Sequence, residues 1–85
     1  MYYAVLQVPE GFEDFCAPSV AGFESREERD RWVEESPDDE DRKILSEADI
    51  HEMFEDGYDL CEEDGMTWVE PKGTLHINGM AYIPA

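Results

Sequence analysis

The chain reads as an α+β domain, a small antiparallel sheet packed with two short α-helices, and three observations predict it. TLHI-NG-MAYI (Thr74–Ile83) sets two short strand-like runs around Asn78-Gly79, a pair suited to a type I′ hairpin turn. Ser25 with Glu28, and Ser46 with Asp49, place a hydroxyl three residues ahead of a carboxylate, which marks two helix starts. YYAVLQV (Tyr2–Val8) is β-branched and aromatic and ends at Pro9, as a strand should.

In chain order, Tyr2–Val8 is the first strand. Gly11–Gly22 reads as a loop around Pro18, with Phe12, Phe15, Cys16 and Val20 packing down on the core. Phe23 leads into the first helix, which is expected to run from the Ser25 cap to about Glu35, with Pro37 stopping it. Arg42–Leu45 is a short strand. The second helix opens at Ser46 and reaches about Asp56, with Ile50, Met53 and Phe54 as its apolar stripe. Gly57 stands where a left-handed C-terminal cap is expected, and Tyr58 can fold back on the last turn. Thr67–Glu70 reads as a strand closed by Pro71. The hairpin register pairs Ile77 with Met80 and Leu75 with Tyr82, all on one face. The sheet is expected to combine the N-terminal strand with the C-terminal hairpin. No repeat is visible, and residues 1–85 form one domain.

Charge limits the function. Asp and Glu number 23 against 6 Lys and Arg, a formal net charge of −17. That field repels nucleic acid and anionic membrane, and it attracts basic protein surfaces. No leader and no membrane-spanning run is read, so the expected location is cytoplasmic. An apolar fraction of 41% supports a packed core rather than a disordered acidic tail. Cys16 and Cys61 fit no metal or redox spacing and are expected to be reduced, buried thiols.

The stretch 24–64 holds 19 of the 23 acids and five bases. In the first helix, Arg26–Asp30, Glu27–Arg31 and Arg31–Glu35 are spaced to pair at i,i+4. The second helix has no Lys or Arg. Asp49, Glu52, Glu55 and Asp56 oppose its apolar stripe, and Asp59, Glu62, Glu63 and Asp64 follow in what reads as an acidic loop. Solubility needs a net charge of only ~2–8 in a small domain. An excess beyond this suits imitation of a phosphate backbone, which carries one charge per ~1.7 Å of duplex axis. Asp38, Asp39, Glu40 and Asp41, in EESPDDED, form a second patch.

Other chemistry is not supported. Neither Gly57 nor Gly65 can serve as the sixth residue of an EF-hand loop, so no metal site is expected. His51 and His76 stand apart from any nucleophile motif, and no glycine-rich phosphate loop exists. An enzyme is not expected, nor is a cofactor. The competing readings are an acidic interaction module with a basic partner unrelated to DNA, and a domain adapted to high salt.

GFESREERDRWVEES (Gly22–Ser36), followed by RKILSEADI (Arg42–Ile50), resembles small open reading frames of phages and mobile genetic elements. Phe23, Ser25, Glu28, Arg29, Asp30, Trp32 and Val33 carry that likeness. Together with size and acidity, it resembles small acidic anti-CRISPR proteins of the DNA-mimic type. The resemblance implies a non-enzymatic inhibitor in a bacterial host, docked on the DNA-binding surface of a CRISPR effector and blocking target-DNA or PAM engagement.

Overall fold

The computed structural model describes residues 1–7, 17–77 and 79–83. Its elements are β1 (Tyr2–Leu6), β2 (Ser19–Phe23), α1 (Arg26–Glu34), β3 (Arg42–Leu45), α2 (Glu47–Met53), β4 (Tyr58–Glu63), β5 (Met66–Pro71), β6 (Leu75–Ile77) and β7 (Met80–Tyr82). Strands β3-β1-β2-β5-β4 form one antiparallel sheet, and β6-β7 forms a separate hairpin. The α+β class stands.

Three details differ from the sequence reading. The hairpin keeps its expected register, Leu75 opposite Tyr82 and Ile77 opposite Met80, yet it packs on the sheet instead of joining it. The loop expected through Gly22 ends in β2, whose small residues Ala21 and Gly22 carry little strand signal by themselves. They pair with Ala4 and Tyr3 of β1, and that pairing decides the strand. The expected acidic loop after Gly57 is β4, turned into β5 by Asp64 (φ 52) and Gly65 (φ 79). Two consecutive positive-φ residues give a two-residue turn that matches strand twist. Phe12, Phe15, Cys16 and Asn78 fall outside the described residues.

Strand alternation gives the sheet two different faces. On one, Tyr3, Val5, Val20 and Val69 meet Ile50, Met53 and Phe54 of α2 and Leu75 and Ile77 of the hairpin in a single buried cluster. The other face presents Ala4 and Ala21, both fully buried, and these small side chains leave room for α1. Trp32 of α1 packs between Phe23 and Trp68, with ring centroids 5.6 and 6.4 Å apart. Arg42 stacks on its outer side, with its guanidinium carbon 4.2 Å from the Trp32 ring centre. The connection through α1 carries the chain over β1, from β2 to β3. Helix α2 then crosses the opposite face, from the β3 edge toward the β4 edge.

Both helix starts are capped, but the reciprocal box expected at Ser25 and Glu28 is made only in part and the complete one forms at the second helix. Ser25 Oγ accepts from the Glu28 amide, and Ser46 with Asp49 completes a reciprocal capping box. Helix α1 ends near Glu35, but α2 stops at Met53, earlier than Asp56. Gly57 takes φ 88 and donates to the Phe54 carbonyl, so the cap expected there is made after a wider turn.

Tyr58 does fold back, against Phe54 at 5.3 Å, and its hydroxyl shares a 2.8 Å hydrogen bond with that of Tyr3. Burial, then the bond to Tyr58, pushes the Tyr3 hydroxyl up from 10.0 to about 12. A folded-state value above the unfolded one contributes stability below pH 10 that is lost as pH rises toward 12. Alkaline titration followed by tyrosinate absorbance and far-ultraviolet dichroism should show unfolding steepen in that window. Tyr3→Phe should flatten the dependence; identical profiles for both proteins would show that Tyr3 does not carry it.

Candidate acidic interface

The twelve acids expected to form the site separate into groups with different surroundings. Asp49 caps its own helix and keeps its charge. Its carboxylate accepts from the Ser46 amide at 3.0 Å, and the bonds with the Ser46 backbone and hydroxyl hold its carboxyl below the usual range. Glu52 lies exposed on the same helix. Glu55 reaches His76 at 3.5 Å, so the hairpin brings an imidazole to the turn that follows α2. Asp56 packs against Gly73, where an added Cβ would come within 2.7 Å of the Asp56 carboxyl carbon.

Asp59, Glu62, Glu63 and Asp64 belong to β4 and its turn. This is an edge strand, and no residue in it is buried. Helix α1 rests on β1, β2 and β3, leaving β4 beyond its reach. For the same reason Cys61 is exposed, which corrects the expectation of a buried thiol there; Cys16 lies outside the described residues. Lys72 is 3.7 Å from Asp59, and Glu70 of β5 stands directly across from Asp59. Like charges in that position are destabilising, and Lys72 partly offsets them. Glu62, Glu63 and Asp64 have no ion-pair partner within 4.0 Å among the described residues. At ~3.3 Å per residue, the four acids from Asp59 to Asp64 span ~17 Å, a mean spacing of ~5.5 Å that is sparser than the one charge per ~3.4 Å of a single DNA strand.

The EESPDDED segment is tethered more firmly than its composition suggests. Ser36 Oγ donates to the Glu40 carbonyl at 2.8 Å, and the Glu40 amide donates to the Pro37 carbonyl. Arg42 holds the Glu40 carboxylate at 2.6 Å and donates to the Trp32 carbonyl at 2.7 Å, which answers the charge of Glu40. Asp41 lies 4.0 Å from Lys43. Asp38 and Asp39 remain exposed and outward. This patch adjoins β3, while Asp59–Asp64 lies on β4 at the opposite edge. Four inter-strand spacings of ~4.8 Å separate those edges by ~19 Å.

On α1, Arg29 pairs with neighbouring Asp30 at 2.9 Å, and none of the three i,i+4 pairs closes within 4.0 Å. Arg26 and Arg29 lean over the Tyr2 ring, which diverts them from the helix acids.

A cleft of about 510 Å³, with an apolar floor and polar walls, lies between the β3 edge, α2 and the hairpin. Half-exposed Met80 flanks its mouth, and half-exposed Ile44 borders it from the strand edge. Residues separated by a helix and three strands give no local signal. Among the described residues, no three His, Cys, Asp or Glu side chains converge as a metal site, and no helix is long and apolar enough to cross a membrane. His51 and His76 are both exposed, and they stand on different elements. No protein family, curated protein or solved structure matches this chain.

Proposed function

We propose that this protein is a non-enzymatic inhibitor. Its acidic surface occupies the positively charged DNA-binding surface of a nucleic-acid-binding complex, with a CRISPR effector as the favoured target. The observation that carries this reading is β4, an exposed edge whose Glu62, Glu63 and turn residue Asp64 have no ion-pair partner among the described residues. Like charges so placed cost stability, and a cationic groove would offset that cost on binding. Asp38 and Asp39, at the other edge, meet a second contact only on a partner that wraps the sheet.

The test is capture from bacterial lysate by the tagged protein at ~0.1 M and ~0.5 M salt, with and without competing duplex DNA. The expected result is a nucleic-acid-binding complex that salt weakens and DNA displaces. A partner indifferent to DNA would replace this reading with that of an interaction module. An empty bait at both salts would assign the acids to solvation.

A further inference from the structure

Beyond the acidic edge, the molecule carries a cleft of a different chemistry. Its floor is made by Leu45, Met53 and Ile77, all belonging to or packed against the core. Met80, 41% exposed, stands at the mouth, and Ile44, which pairs with Ala4 of the other face, borders the cleft along the strand edge. A volume of about 510 Å³ is within the range of small-ligand and side-chain pockets. One wall is β3, the outermost strand of the sheet, whose free edge has no strand partner among the described residues. An unpaired edge presents backbone N–H and C=O groups to any extended chain laid beside it.

The charge around the cleft selects the occupant. Asp49 and Glu52 border it from α2, and Lys43 and His76 border it from β3 and β6. Both bases already face carboxylates, Lys43 at Asp41 and His76 at Glu55. Four carboxylates therefore surround one fixed cation and one imidazole. A second copy of this chain would bring another −17 to the contact, which disfavours self-pairing.

We infer that the β3 edge and its adjoining cleft bind an extended segment of a partner protein, with one aliphatic side chain of that segment in the cleft and flanking Lys or Arg residues against Asp49 and Glu52. The backbone of the segment adds to β3 as a further strand, the aliphatic residue anchors it, and the cations set its direction. Such a central apolar anchor with a charged rim is the usual anatomy of a binding hot spot. The inference does not depend on whether the partner also binds DNA, since β3 and β4 are opposite edges of the sheet.

The experiment is a titration of the isotope-labelled protein, followed by amide NMR, with the blocked pentapeptide lysine-valine-leucine-valine-lysine. Its counterpart carries glutamate in place of both lysines. Saturable shifts should centre on Lys43, Ile44, Leu45, Glu52, Ile77 and Met80, with Kd at or below about 1 mM. The glutamate peptide should bind at least tenfold more weakly. Met80→Asp and Glu52→Lys, both at exposed positions, should each lower affinity fivefold or more while leaving the remaining spectrum in place.

No saturable shift at those amides would overturn the inference. So would shifts confined to β4, or equal binding of the two peptides. If the same amides move with protein concentration alone, the occupant is a second copy and the inference is also overturned. Reversal of the β4 charges should leave the peptide titration within twofold, so failure here and failure of the inhibitor reading are separable.

Discussion

Phe54→Ala should lower the unfolding free energy by ~3–5 kcal/mol, the usual cost of emptying a buried aromatic site. Phe54 is 5% exposed and lies in the cluster formed by the sheet, α2 and the hairpin, with the Tyr58 ring 5.3 Å away. It is also the C-cap of α2, so neighbouring chain cannot collapse into the void without moving the helix end. A domain of this length has a total stability of ~4–13 kcal/mol at ~0.05–0.15 kcal/mol per residue. The variant should therefore melt ~12–40 °C lower, at ~4–8 °C per kcal/mol. Phe54→Leu keeps most of the volume and should recover the larger part of the loss. Urea and thermal unfolding measure both. A loss under ~1 kcal/mol for the alanine variant would mean the core does not close over this residue.

The second large effect concerns binding. Exchanging Glu62 and Glu63 for lysine in one variant should weaken capture of the target tenfold or more, a change of ~1.4 kcal/mol or above. Both side chains are exposed, and their cross-strand neighbours are Thr67 and Met66, so neither charge holds the fold together. Thermal stability should hold or rise as like-charge repulsion around Asp59, Asp64 and Glu70 is relieved. The loss should appear mainly in the association rate and in a shallower salt dependence, the signature of steering. The matching exchange of Glu34 and Glu35, at the end of α1, should change affinity by less than twofold. If the α1 variant loses binding and the β4 variant keeps it, the read surface lies on the helix side and the β4 assignment fails.

Much of the fold was legible because its signals are local. Ser25 and Ser46 cap their own helices, Gly57 takes the left-handed conformation, and the Leu75–Tyr82 and Ile77–Met80 pairs follow from a two-residue turn. β2 was hidden because Ala21 and Gly22 are strand residues only by virtue of the neighbours they pair with. β4 was hidden because Asp59, Glu62 and Glu63 look like a solvated loop. In an edge strand whose residues after Tyr58 are all exposed, the same acids satisfy the backbone ladder on one side and water on the other. Cys61 became exposed by the same circumstance.

The acidic site divides in the same way. Its composition, and the candidacy of Asp38–Asp41 and Asp49–Asp64, could be read directly. Which carboxylates remain uncompensated could not. Arg42 reaches Glu40, Lys72 approaches Asp59, and His76 approaches Glu55 only after the chain has folded.

By itself, then, the sequence determined the α+β class, the capped helices, the hairpin register and the sign of the surface field, because each depends on neighbours a few residues apart or on a sum over the chain. Tertiary structure alone decided the strand order, the placement of two acidic patches on opposite edges, and the cleft beside β3. These depend on contacts between distant segments, where burial of Val5, Val20 and Val69 under α2 and the hairpin fixes which edges stay open to a partner.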